Sequence, residues 1–228
     1  MRIVLFDIDG TLVSKHSTEP QERERFRRGV LDVIGKSPPI EPWRYDGMVD
    51  PEICRRLLME VGLSANAAAA RLEEVVRRVG EIYLTMDKHP ILNGGVEKLL
   101  RILSASPNHK LGVLTGNLSP VAEEKLSITR IRAHFAEVFC SDGYFDRSDL
   151  VRDAVRLCMK KYRVPAVSAL TVVGDTPRDV QAANANGLVA VAVSSGFYSA
   201  AELERAGARA VFSTLEPSDE LLKALHFE

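Results

Sequence analysis

Cysteine is scarce in this chain. The three present, Cys54, Cys140 and Cys158, stand far apart and form no CxxC pair. That spacing excludes a disulfide framework or a cysteine zinc site and fits a reducing compartment. Charge of one sign is lacking as well: the formal net charge is −1 with only five histidines, so no global field draws the chain to nucleic acid or to an anionic membrane. The arginines between positions 23 and 28 are interleaved with Glu22 and Glu24, which reads as a solvated helix face rather than an interaction tail. Long hydrophobic runs are missing too. Ile3–Phe6 is too short for the apolar region of a secretion signal, and Leu188–Val193 falls well below the roughly 18–20 residues that span a bilayer. Asn117-Leu118-Ser119 matches a glycosylation sequon, but without a secretion signal the match carries nothing. Neither an internal repeat nor a low-complexity linker interrupts the chain. A hydrophobic fraction of 46% and a charged fraction of 27% are ordinary for a globular protein, and the expectation is a soluble, cytoplasmic one.

What is present is an alternation. Four apolar runs, Ile3–Phe6, Leu111–Leu114, Ala169–Val173 and Leu188–Val193, each end at a polar or Gly-rich turn followed by a helical pattern. Continuous apolar runs of this length suit strands buried on both faces of a parallel sheet. Phe135–Cys140 and Ala208–Phe212 are weaker strand candidates. Helical patterns at Gly94–Ser104, Pro120–Ser127, Asp149–Tyr162, Pro177–Asn186 and Ala200–Ala206 complete a doubly wound α/β pattern.

One segment breaks the alternation. From about Thr18 to Met86 the pattern is helical throughout. Thr18 and Gln21 read as a capping box with Pro20 in the first turn, and Gly35 with Pro38-Pro39 stops that helix. Asp50 reads as the cap of a second helix and Ser64 as the cap of a third, whose Leu72, Val75, Val76 and Val79 form an apolar stripe. The expected organisation is a core of residues 1–15 and 88–228 with a smaller all-helical domain, residues 16–87, inserted after the first strand.

In an open parallel sheet, ligands bind at the carboxyl ends of the strands near the switch in strand order. The first strand runs into Asp7-Ile8-Asp9-Gly10-Thr11. Side chains two apart in an extended segment share a face, so Asp7 and Asp9 point into one cavity. Two close carboxylates repel unless a proton or cation lies between them, and magnesium, which prefers oxygen ligands beside phosphates, fits that place. Asp7 is then the candidate nucleophile toward phosphorus. Asp9 is the candidate acid for the leaving alkoxide and base for the water that follows. At the second strand end, Thr115-Gly116-Asn117 offers a hydroxyl and backbone N–H to a phosphoryl oxygen, next to the positive end of a helix. At the third, Gly174-Asp175-Thr176-Pro177-Arg178-Asp179 places two carboxylates four apart at a helix start, where both could face the metal. A cation should offset the phosphoryl charge. Among Arg147, Arg152, Lys160 and Lys161, Arg147 is favoured because Gly143–Ser148 reads as a loop near the site.

Taken together, Asp7-Ile8-Asp9-Gly10-Thr11-Leu12, Thr115-Gly116-Asn117 and Gly174–Asp179 make the chain resemble the haloacid dehalogenase-like hydrolase superfamily, and within it the phosphoglycolate phosphatase-like members. The resemblance implies a Rossmann-like core with a mobile helical cap that closes over substrate. It implies magnesium held by Asp7, the Asp9 backbone carbonyl and Asp175, with Asp179 in support and Thr115 binding phosphate. The family's usual phosphate-neutralising Lys is missing, and Asp146-Arg147-Ser148 stands in that region. Gly47–Asp50 lies where relatives place substrate contacts, which makes Asp50 a substrate-binding candidate as well as a capping residue. The expected activity is magnesium-dependent hydrolysis of a small phosphate monoester through an aspartyl phosphate. The alternatives are a phosphosugar mutase of the same superfamily and, from another class, a non-catalytic phospho-accepting or phosphate-binding regulator. Dehalogenation needs no metal and would leave Asp9 without a task.

Overall fold

The computed structural model describes residues 1–40 and 45–226. Six strands, β1 (Arg2–Phe6), β2 (His109–Leu114), β3 (Glu137–Phe139), β4 (Leu170–Gly174), β5 (Val189–Val193) and β6 (Ala210–Phe212), form one sheet in the order β3-β2-β1-β4-β5-β6. Every pairing is parallel. The reason is visible in the side-chain alternation of β1. Val4 and Phe6 enter one buried cluster with Leu99, Leu103 and Val113, while Ile3 and Leu5 enter another with Leu150, Ala154 and Val172. Both faces are therefore covered, and an unbroken apolar run is what such a strand requires. Edge strands β3 and β6 are three residues long and only partly buried.

Helices α1 (Lys15–Ile34), α2 (Asp50–Glu60) and α3 (Ala65–Thr85) follow β1. They share their own apolar cluster, including Phe26, Val30, Leu57, Leu58, Val75 and Val79. Tyr83 of α3 continues onto Leu118 and Val121 across the seam to the sheet portion. The remaining helices are α4 (Val96–Ala105), α5 (Ser119–Ile128), α6 (Arg147–Tyr162), α7 (Pro177–Ala185), α8 (Ala200–Arg205) and α9 (Asp219–Ala224).

Three local expectations are corrected. The first helix begins at Lys15, not at a Thr18–Gln21 box. The chain leaves the Asp9–Val13 turn so tightly that Ser17 already bonds back to Ser14 O through its N–H and its hydroxyl, and Pro20 is carried inside the helix. The second helix is capped by Val49, with Asp50 as its first residue; the Asp50 carboxylate is engaged elsewhere. Arg147 is not in a loop: it is the first residue of α6, which Asp146 caps by accepting from Ser148 N–H at 2.6 Å. Ser64 caps α3 as expected, accepting from Ala67 N–H. Gly35 ends α1 in the left-handed conformation at φ 77°.

Candidate active site

The chain passes from β1 to β2 and β3 on one side of the sheet, then returns to β4 on the other, so the switch in strand order lies at β1. Phe6 is in register with Val113 and with Val173. Residues immediately beyond these strand ends therefore come together, and Asp7 N–H still bonds Val173 O at 2.9 Å. One oxygen each of Asp7, Asp175 and Asp179 lies within 4.8 Å of the others. All three residues are buried, with Asp175 fully so.

Each of these carboxylates is oriented by its surroundings. Asp175 Oδ1 accepts from Thr11 Oγ1 at 3.1 Å, whereas its buried Oδ2 has no hydrogen-bond partner among the described residues. The backbone must come close here. A Cβ on Gly10, which has φ +87°, would lie 2.0 Å from Asp175 Oδ2, so glycine is required for both conformation and space. Asp179 completes a capping box with Thr176 at the start of α7: Oδ2 accepts from Thr176 N–H and Oγ1 at 3.0 and 2.7 Å, and Oδ1 faces the Arg147 guanidinium. Arg147 Nη2 also lies 3.2 Å from Asp7 Oδ1. α6 thus delivers a single cation between two of the three carboxylates. Burial pushes the Asp7 carboxyl up to about 6, with Arg147 opposing the shift and Asp179 and Asp9 adding to it. Burial likewise holds Asp175 well above the usual carboxylate range, against Lys15. A buried group of hard oxygen donors, one of them unpartnered, short of positive charge and held apart from sulfur and imidazole, fits a magnesium-type cation.

Asp9 lines the same cavity as Asp7 but faces a different set of partners. Its Oδ2 accepts from Asn117 Nδ2 at 2.7 Å and from Lys125 Nζ at 2.6 Å, while Oδ1 is buried and has no hydrogen-bond partner among the described residues. Although burial opposes it, the positive charges of Lys125 and Lys15 hold Asp9 well below the usual carboxylate range. Thr115 Oγ1 accepts from Asn117 N–H and Nδ2 at 3.3 and 2.9 Å. The next two N–H groups along the chain are taken: Leu118 donates to Asp50 Oδ2 and Ser119 to Asp142 Oδ2. The N–H groups of residues 117–119 are thereby committed, and Thr115 and Gly116 both line the cavity. Gly116 lets the α2 approach pass close by, since a Cβ there would lie 2.3 Å from Met48 O.

Asp50 also lines the cavity, yet both of its oxygens bond Arg25, each at 2.9 Å, and Oδ2 accepts from Leu118 N–H as well. Its carboxylate ties α1 to the start of α5. Of the other candidate cations, Arg152 pairs with Asp149 on its own helix and Lys161 with Glu137, and Lys160 lies in the last turn of α6. Arg25 is a correction: within the arginine stretch read as a solvated helix face it is fully buried. Lys15, paired with Asp46, and the fully buried Lys125 are further charged residues at the site that the sequence reading did not single out. No motif marks them. The only available signal was their place on helices flanking the acidic strand end.

The cavity between the strand ends and helices α1 and α2 encloses about 90 Å³. Asp7, Asp9, Thr115 and Arg147 form its polar floor, and Phe26, Met48 and Ile53 stand on the helical side. Residues 1–187 match the family model described as haloacid dehalogenase-like hydrolase. The chain belongs to this hydrolase family. It is 29% identical over 204 residues to a phosphoglycolate phosphatase of Synechococcus elongatus, covering 86% of this chain and 85% of that one. A hydrolase from Pseudomonas syringae superposes with a TM-score of 0.73 at 25% identity, over 95% of both chains. CbbY from Rhodobacter sphaeroides, solved in complex with phosphate, superposes at 0.77 with 22% identity over 99% of both chains, which establishes likeness of fold. Among the described residues, no helix is long and apolar enough to cross a membrane.

Proposed function

We propose that this hydrolase is a magnesium-dependent phosphatase acting on a small phosphate monoester, with residues 16–87 forming a cap over the site. The observation that carries the reading is the convergence of Asp7, Asp175 and Asp179 within 4.8 Å beside Arg147, with Asp9 in the same cavity. Asp7, Asp175 and the backbone carbonyl of Asp9 would hold the cation, and Asp179 would support it through Arg147 and Thr176. When bound, such a cation offsets phosphoryl charge and keeps nearby carboxylates ionised.

The chain's own groups supply the rest. Thr115 Oγ1 accepts from Asn117 and so has its own proton to donate to a phosphoryl oxygen. Arg147 sits opposite with a guanidinium able to take two phosphate oxygens. Asp7 attacks phosphorus as the ester P–O bond breaks, and a proton on Asp9 passes to the departing alkoxide to give the alcohol. In the second half, Asp9 takes a proton from water as that water attacks phosphorus, which releases phosphate and frees Asp7. The helical segment excludes bulk water while this happens. The similarity to a phosphoglycolate phosphatase supports phosphatase chemistry over the mutase alternative, and the Asp9 arrangement argues against a regulator that only accepts a phosphoryl group.

The test is a phosphate-release screen over small phosphorylated metabolites with magnesium, using a chelator as control. Release from at least one monoester, abolished by chelation, is expected. Isomer formation without release would favour a mutase, and no reaction with any of the panel would overturn the reading.

A further inference from the structure

Lys125 is an unusual residue to find where it is. It lies on α5, is fully buried, and belongs to none of the strand-end motifs. Its ammonium donates to Asp9 Oδ2 at 2.6 Å, to Glu22 Oε1 of α1 at 2.6 Å and to Asn117 Oδ1 at 3.1 Å, and it lies 5.4 Å from the Tyr83 ring centroid. Three acceptors match the three donors of an ammonium. A fully desolvated lysine is costly unless paired in this way. Two of the acceptors belong to the strand ends, Asp9 and Asn117; the third, Glu22, belongs to the helical segment and also pairs with Arg25, which holds Asp50.

The consequence for Asp9 is directional. Lys125 and Asn117 both take Oδ2, and among the described residues Oδ1 is left buried with no hydrogen-bond partner in the cavity that Asp7 shares. A carboxyl group clamped by one oxygen can rotate little. We propose that Lys125 is a positioning residue: it fixes Asp9 so that Oδ1 carries the proton to the leaving alkoxide, and its bond to Glu22 makes that orientation depend on docking of the α1 segment. The inference rests on the phosphatase reading above. Lys125 touches no reacting atom and acts only through Asp9.

This role has a signature that a merely structural one lacks. An alkyl phosphate expels a strongly basic alkoxide and needs a well-placed acid, whereas p-nitrophenyl phosphate expels a stabilised phenolate and needs little help. The experiment measures kcat/KM, which reports only the steps through departure of the alcohol, for an alkyl phosphate found in the screen and for p-nitrophenyl phosphate, in the wild type, in Lys125→Met and in Lys125→Met combined with Glu22→Gln. The double variant removes one positive and one negative charge together, so the buried network stays balanced if the single variant folds poorly. In both variants kcat/KM for the alkyl ester should fall by about a hundredfold, the usual scale of a general-acid contribution. The loss with p-nitrophenyl phosphate should stay within a few-fold. Equal fractional losses on the two esters would overturn the proposal, as would failure of both variants to fold, which would mark Lys125 as a structural anchor. A wild type that hydrolyses neither ester would instead refute the phosphatase reading.

Discussion

Replacing Arg25 with methionine isolates the buried ion pair that ties α1 to the sheet portion. Arg25 is 0% exposed, and its guanidinium meets both Asp50 oxygens at 2.9 Å along with Glu22. Methionine fills similar volume but, among the described residues, leaves the Asp50 charge with the Leu118 N–H alone. Breaking a buried pair by removing one partner costs about 3–5 kcal/mol, because the remaining charge is desolvated and uncompensated. For a chain of this size that corresponds to a fall of roughly 6–20 °C in Tm. Thermal denaturation followed by circular dichroism reads the effect directly. The Arg25→Met, Asp50→Asn double variant keeps an acceptor for Leu118 N–H without the charge, and it should recover more than half of the loss. A single variant melting within 2 °C of wild type, or a double variant no better than the single, would refute the reasoning. Either result would also release Asp50 for a direct role with substrate.

The other predictions concern the floor of the cavity. Asp7→Asn should lose turnover by about a thousandfold or more, since the proposed nucleophile and the proposed cation ligand vanish together. Its metal-free form should melt no lower than wild type at pH 7.5. A carboxyl raised from 3.8 to about 6 stabilises the fold below pH 4 and forfeits that contribution, on the order of 3 kcal/mol, as pH climbs through 6. Measurable turnover near the wild-type rate would end the mechanism. Arg147→Ala should raise KM and lower kcat by about tenfold or more as the guanidinium beside Asp7 and Asp179 is lost; an unaltered rate profile would remove Arg147 from phosphate binding. Gly10→Ala should cost about 1–2 kcal/mol from its left-handed backbone alone and push Asp175 out of place, and an activity within twofold of wild type would contradict the contact. Magnesium affinity by calorimetry should weaken at least ~10-fold from pH 7.5 to pH 5, because Asp7 with a pKa of about 6 must shed its proton to act as a ligand; equal affinities would remove Asp7 from the cation site.

How much of this could be read from the sequence depends on whether a feature is local. The runs that became β1, β2, β4 and β5 were legible because burial on both faces forces every residue of such a strand to be apolar. β3 and β6, short and half-covered, left weak signals at Phe135–Cys140 and Ala208–Phe212. Helix α9, six residues capped by Ser218 through Leu221 N–H, has too little length to show a period. The Thr18–Gln21 box satisfied a local rule, yet the tight exit from the Asp9–Val13 turn moved the helix cap four residues earlier, to Ser14. Asp7 and Asp175 were legible because each directly follows a strand, and Asp9 and Asp179 because they stand two and four residues further along. Lys125 was not: its partners Glu22 and Asp9 lie 103 and 116 residues away, and a helix lysine looks like surface until the fold closes over it.

The two carboxylates of the opening strand end show why roles are better assigned from geometry than from proton affinity alone. Their environments push them apart: Asp7 upward by burial and by Asp179, Asp9 downward, against burial, by Lys125 and Lys15. Divergence of this kind ordinarily marks the raised group as the acid, which would make Asp9 the nucleophile. The causes argue otherwise. Asp7 is raised because buried carboxylates crowd it, a condition that a divalent cation among Asp7, Asp175 and Asp179 reverses. Asp9 is held down by fixed ammonium groups, and an arriving phosphate dianion beside Oδ1 opposes their field and increases its affinity for a proton. A bound cation would thus ionise the residue among the acidic cluster, while a bound phosphate would oppose the downward shift of the one clamped by Lys125. Nucleophile and acid are distinguished by what each faces when the cavity is filled.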